Sequence, residues 1–134
     1  MQITPPTVSL LFAALHALLL IGLSLSVVLQ RRSARVGLGD GGDAVLARRI
    51  RVQANFIEYV PLALLLLALL ELGGLARMWV WAFGSVLLLG RVLHAVGLSG
   101  SAGTSKGRLY GTLLTWIGLV AMALTGVWLA VTTL

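Results

Sequence analysis

The chain has 134 residues, of which 59% are apolar and 10% charged, against roughly 25% charged in an ordinary soluble domain. A soluble fold of this length has too little interior for that much apolar side chain, so lipid must solvate much of it, and a single all-α bundle over residues 1–134 is expected. The net charge of +6 borders the apolar runs, which favours anionic headgroups, an anionic ligand and topology control over nucleic acid, and the absence of cysteine excludes disulfides, thiolate metal sites and a cysteine nucleophile.

Helices are expected at about 8–30, 48–72, 77–98 and 108–133, each near the ~20 residues that cross ~30 Å of hydrocarbon. No strand-like alternation supports a barrel, so helices must satisfy the backbone in lipid. Pro5-Pro6 followed by Thr7 suits the start of helix one. No Lys or Arg precedes that run, and it exceeds the ~7–15-residue core of a cleaved signal, so it reads as a retained helix. His16, mid-helix, is expected as a neutral interhelical hydrogen-bonding group. The stretch Gly37 to Asp43 is a loop by composition, and Asp43 can cap helix two if that helix begins ahead of the membrane.

Pro61 removes one backbone bond inside helix two and predicts a kink. Gly73-Gly74 makes the tight turn to helix three, flanked by Glu71 and Arg77 on a solvated face. Ser99 to Gly107 is the third connection. Trp79, Trp81 and Trp128 suit membrane interfaces, with Trp116 deeper at a helix contact. No His or carboxylate pair has metal-ligand spacing, so no metal is expected.

Charge predicts topology. Arg31, Arg32, Arg35, Arg48, Arg49 and Arg51 border loop one, and Lys106 and Arg108 border loop three. Arg77 alone lies at the opposite face. The positive-inside rule puts both loops in the cytoplasm and both termini on the other side.

Arg51, Asn55, Glu58 and Tyr59 follow at i, i+4, i+7 and i+8, on one face of helix two. Glu58 lies roughly 10 Å deeper than Arg51. A carboxylate at that depth usually faces the bundle interior with a partner. Arg51 is expected to be too far away for direct contact, so the partner should come from another helix, Arg91 and His94 being candidates. One reading is a structural ion-pair network. The other is a polar pocket open to the cytoplasm, in which Arg forks take carboxylates, Asn donates and accepts, and Glu takes an ammonium. Such a set fits a small zwitterion with more than one carboxylate.

The run Arg51-Val-Gln-Ala-Asn55-Phe-Ile-Glu58-Tyr59-Val-Pro61 resembles the helix-two signature of the MAPEG family (membrane-associated proteins in eicosanoid and glutathione metabolism). Length, four helices and the basic first loop extend the resemblance over nearly the whole chain. It implies a homotrimer of four-helix protomers with glutathione, the cosubstrate, between neighbouring subunits near the cytoplasmic side. It implies that Arg31, or Arg32 in the same run, joins Arg51, Asn55, Glu58 and Tyr59 in contacting glutathione, that Arg91 and His94 line or brace the cleft, and that Arg108 stabilises the thiolate. The implied activity is a glutathione S-transferase or glutathione-dependent peroxidase acting on lipophilic electrophiles, in a bacterial inner-membrane member. Leu98 stands where several members carry tyrosine, and Leu109 where some active members carry serine; these bear on the chemical step more than on binding. The alternatives are a non-catalytic glutathione-binding protein of the same fold and, further off, a small multidrug transporter. Those transporters carry a glutamate in helix one, and this helix has none.

Overall fold

With no water in hydrocarbon to satisfy N–H and C=O groups, each crossing must close its own backbone bonds, and helices do so. The computed structural model describes residues 5–100 and 105–133, without the side chains of residues 98–100. It is an all-α membrane bundle of α1 (Thr7–Ala34), α2 (Ala44–Leu72), α3 (Arg77–Gly100) and α4 (Lys106–Thr133). All four are long and apolar enough to span a bilayer. Of the expected connection Ser99 to Gly107, residues 101–104 lie outside the described residues, as does the side chain of Leu98.

Helix ends reflect local chemistry that apolar runs do not report. α1 runs past residue 30 to Ala34 and carries Arg31 and Arg32 in its last turn, where cations complement the helix dipole. It stops at Arg35, in the left-handed region at φ 55°, whose N–H donates to the Arg32 carbonyl. α2 starts at Ala44, ahead of the expected 48, because Asp43 Oδ1 accepts from the Val45 and Leu46 N–H groups at 2.8 Å each. The α2–α3 turn uses Gly74 at φ 87°, a conformation that suits glycine.

Glu71 corrects the expectation of a solvated face. Its carboxylate accepts from Val8 N–H at 3.0 Å and Ser9 N–H at 2.7 Å. These are first-turn donors of α1, which has no side-chain cap of its own at Pro6.

Near this end the core gathers Val8 and Phe12 of α1, Ala63, Leu67 and Leu70 of α2, Val80 and Leu87 of α3, and Met122 of α4. Toward loop one, polar ties join α1 to α2. Gln53 Nε2 donates to Ser24 Oγ at 2.7 Å, and Arg49 Nη1 donates to the Ser26 carbonyl at 2.8 Å. α3 and α4 approach closely at Gly90 and Gly111, where a Cβ on Gly111 would sit 2.6 Å from the Gly90 carbonyl oxygen, and again at Gly97, where a Cβ would run into the Arg108 backbone nitrogen. Small residues at such crossings let backbones touch, which matters where lipid removes the hydrophobic drive for helix association.

Two further expectations are corrected. His16 bonds within its own helix, Nδ1 to the Phe12 carbonyl at 2.7 Å, and its ring packs toward Phe56 with centroids 6.0 Å apart. Trp116 is 50% exposed rather than at a contact inside the bundle, because its position on α4 points away from the α3 seam.

Candidate functional site

Arg51 and Glu58 of α2 do pair. Nη1 lies 2.9 Å from Oε1 and Nη2 lies 3.2 Å from Oε2, a two-pronged contact. Axial rise alone made this contact look out of reach. Helical side chains lean toward the N-terminus, so Glu58 reaches back while the long arginine reaches forward. The pair lies on the outer face of the protomer, with side chains 59% and 44% exposed.

Asn55 lies between this pair and the interior. Its Nδ2 donates to Glu58 Oε2 at 3.4 Å, and its Oδ1 accepts from Arg91 Nη2 at 2.6 Å. Arg91, only 1% exposed, is wedged among α2, α3 and α4. Its Nη1 donates to Thr115 Oγ1 at 3.2 Å, and Thr115 donates to the Gly111 carbonyl at 2.8 Å. Arg91 Nε has no hydrogen-bond partner among the described residues. Burying a cation is costly unless it is paired. Here its hydrogen bonds among the described residues go to neutral acceptors, with Glu58 and Tyr59 in electrostatic reach and Asn55 bridging it to the Glu58 carboxylate. Arg91 and His94 were the candidate partners of Glu58 from another helix; among the described residues neither bonds it directly, and Arg91 reaches it at one remove through Asn55.

His94, one turn along α3, is 4% exposed, and its Nδ1 has no partner among the described residues. It lies within electrostatic reach of Arg91, Arg108 and Arg51, and Tyr59 lies within reach of Arg91. Arg108 occupies the first turn of α4, where its N–H donates to Ser105 Oγ at 3.2 Å. It borders a groove of about 540 Å³ with Lys106 and Thr112 on its polar side and Leu109, Leu113 and Trp116 on its apolar side. Arg31 stands apart: its Nη1 donates to the Gly39 carbonyl at 2.7 Å and closes loop one. No hydrogen bond among the described residues joins it to the others.

Seven of the eight site residues named from the sequence therefore fall in one neighbourhood at the loop-one end of the bundle. Thr115 was missed, together with the glycines that admit it. The arrangement offers forked cationic donors, one carboxylate, a two-faced amide and a half-apolar groove.

Residues 9–128 match the MAPEG family over its helix-two signature and most of all four helices. The chain belongs to the MAPEG family. Two Escherichia coli proteins, from strain K12 and from an O6:H1 strain and each named inner membrane protein YecN, are 39% identical to it over 121 residues. The match spans 90% of this chain and 91% of each relative. MAPEG membership makes this an integral membrane protein of the glutathione- and eicosanoid-related kind at the level of the family.

Proposed function

We propose that this MAPEG protein is a glutathione-binding enzyme, a glutathione S-transferase or glutathione-dependent peroxidase acting on lipophilic electrophiles. The observation that carries the reading is the outward-facing Arg51–Glu58 pair with Asn55 beside it. Ionisable groups within a membrane-spanning helix are costly and mark functional sites, and both residues lie within α2. Their chemistry suits the γ-glutamyl end of glutathione: the guanidinium fork takes the carboxylate and Glu58 takes the ammonium. The ligand would displace an exposed pair worth only ~0.2–1 kcal/mol. Tyr59 and, from the last turn of α1, Arg31 complete the proposed binding set, with His94 lining it and Arg91 bracing it from behind Asn55.

Arg108 is the proposed catalytic residue. A cysteine-type thiol with pKa ~8.5 is mostly protonated at neutral pH, and the thiolate is the nucleophile. A guanidinium beside the sulfur favours the charged form. The groove against Arg108 has Leu109, Leu113 and Trp116 along one side, a surface suited to an acceptor arriving through the bilayer.

A homotrimer is part of the proposal. From Arg51, Asn55 and Glu58 the same face of α2 continues through Leu62, Leu65, Leu69 and Leu72 in alternating steps of three and four residues, and these leucines are 50–60% exposed. That spacing is a coiled-coil seam, and it would lay a neighbouring copy over the ion pair. The proposed setting is a bacterial inner membrane, with loops one and three in the cytoplasm and both termini outside.

Calorimetry with glutathione, in detergent and in lipid discs, tests the binding. Wild type is expected to bind, and Arg51→Ala to bind about tenfold or more weakly, as loss of a charge-assisted fork predicts. Absence of binding in both media overturns the reading. A non-catalytic binding protein of the same fold is the second reading, favoured by Leu109, which offers no hydroxyl beside Arg108. A near-ultraviolet thiolate band that disappears in Arg108→Ala selects the enzyme; binding without that band selects the second reading.

A further inference from the structure

We infer that Thr115 is a positioning residue of this cleft, acting through Arg91 on Asn55 and so setting the affinity for the zwitterionic ligand. The inference rests on the glutathione-binding reading above. Thr115 is fully buried, and its hydroxyl hydrogen goes to the Gly111 carbonyl. That leaves its oxygen lone pairs for Arg91 Nη1. The other described threonines with hydroxyl bonds, such as Thr112 and Thr125, only donate to carbonyls of their own helix. Among the described residues, Thr115 is the one threonine whose hydroxyl also accepts from another helix.

The guanidinium is planar, so holding Nη1 on Thr115 aims Nη2 in a fixed direction. Nη2 points at Asn55 Oδ1, 2.6 Å away. The Asn55 amide has one accepting and one donating side. With its oxygen turned to Arg91, its NH₂ must face Glu58, the carboxylate on the open face. Thr115 thus determines, two side chains away, which side of the amide a ligand meets. The contact exists because Gly90 lacks a side chain: a Cβ there would lie 3.0 Å from Thr115 Oγ1 and 3.1 Å from the Gly111 carbonyl oxygen.

The test is glutathione calorimetry on wild type, Thr115→Val and Thr115→Ser, each also in an Asn55→Ala background, with thermal midpoints recorded alongside. Thr115→Val is expected to weaken binding about tenfold, the scale of one hydrogen bond to a charged group, and Thr115→Ser to bind like wild type. In the Asn55→Ala background Thr115→Val is expected to change nothing further, because its route to the ligand has gone. A merely structural threonine would lower the thermal midpoint and give losses that add in the double variant. Unchanged binding in Thr115→Val, or additive losses, overturns the inference while the functional reading stands. Wild type that binds no glutathione overturns both. If Thr115→Val does not assemble, Thr115→Cys, close in size and a much weaker acceptor, replaces it with the same expectations.

Discussion

Glu58 serves two partners on the surface of α2, the Arg51 guanidinium and the Asn55 amide, and its proposed role is to receive an ammonium. Glu58→Gln should therefore weaken glutathione binding about tenfold yet leave the affinity for the analogue lacking the α-amino group nearly unchanged, as competition calorimetry can read. At the other end of α2, Glu71→Ala should lower stability by about 1 kcal/mol, the usual loss for a helix cap, measured by thermal unfolding in detergent. Asp43 predicts an acid dependence. The Leu46 backbone N–H foremost, then Gln30, the Val45 N–H and nearby Arg48 hold its carboxyl below the ordinary aspartate value. A depressed folded value means that its stabilising effect is whole above the unfolded pKa of ~3.9 and is lost as pH falls through the lower folded value. Asp43→Asn, which keeps an accepting oxygen, should flatten that limb of a pH series of unfolding midpoints. These residues were unequally legible. The spacing of Arg51, Asn55 and Glu58 declares a shared face because helical period is local. Thr115 is silent in the sequence because α4 holds several threonines that bond only their own helix, and nothing local distinguishes the one that turns to Arg91.

Between helices, contact depends on what is small. The α3–α4 crossing tolerates no side chain at Gly111, so Gly111→Ala should push the helices apart at the cost of about 1–3 kcal/mol. Calorimetric or chemical unfolding would measure it, and glutathione affinity should fall with it, since Thr115 and Arg91 face each other across the same seam. The leucine seam of α2 makes a separate prediction. Leu65→Ala with Leu69→Ala should shift the proposed trimer toward monomer by native mass spectrometry, whereas Leu18→Ala with Ile21→Ala, on the exposed face of α1, should leave it unchanged. Helix number was legible because lipid allows no other way to satisfy the backbone. Helix ends were less so: α2 starts where Asp43 caps it, and α1 starts on a carboxylate contributed by residue 71, which no window of neighbouring sequence contains.

For the molecule as a whole, charge sorts to one end. Arg32, Arg35 and Lys106 are exposed there, and Arg49 ties α1 to α2. The proposed orientation predicts that a phosphatase fused to the C-terminus is active and a cytoplasm-dependent fluorescent protein there is dark. A dark phosphatase and a bright fluorescent protein would reverse the orientation. The buried Arg91 has a further consequence, for synthesis. Its span has a mean hydropathy of 1.5, the lowest of the four, against 2.4, 1.8 and 2.0 for the others. Its acceptors come from a helix made earlier, which brings Asn55, and one made later, which brings Thr115. While the chain emerges from the ribosome, α3 meets the bilayer with a guanidinium that only half its partners are present to receive. It should therefore enter lipid beside α2 rather than alone, and settle only once α4 has followed.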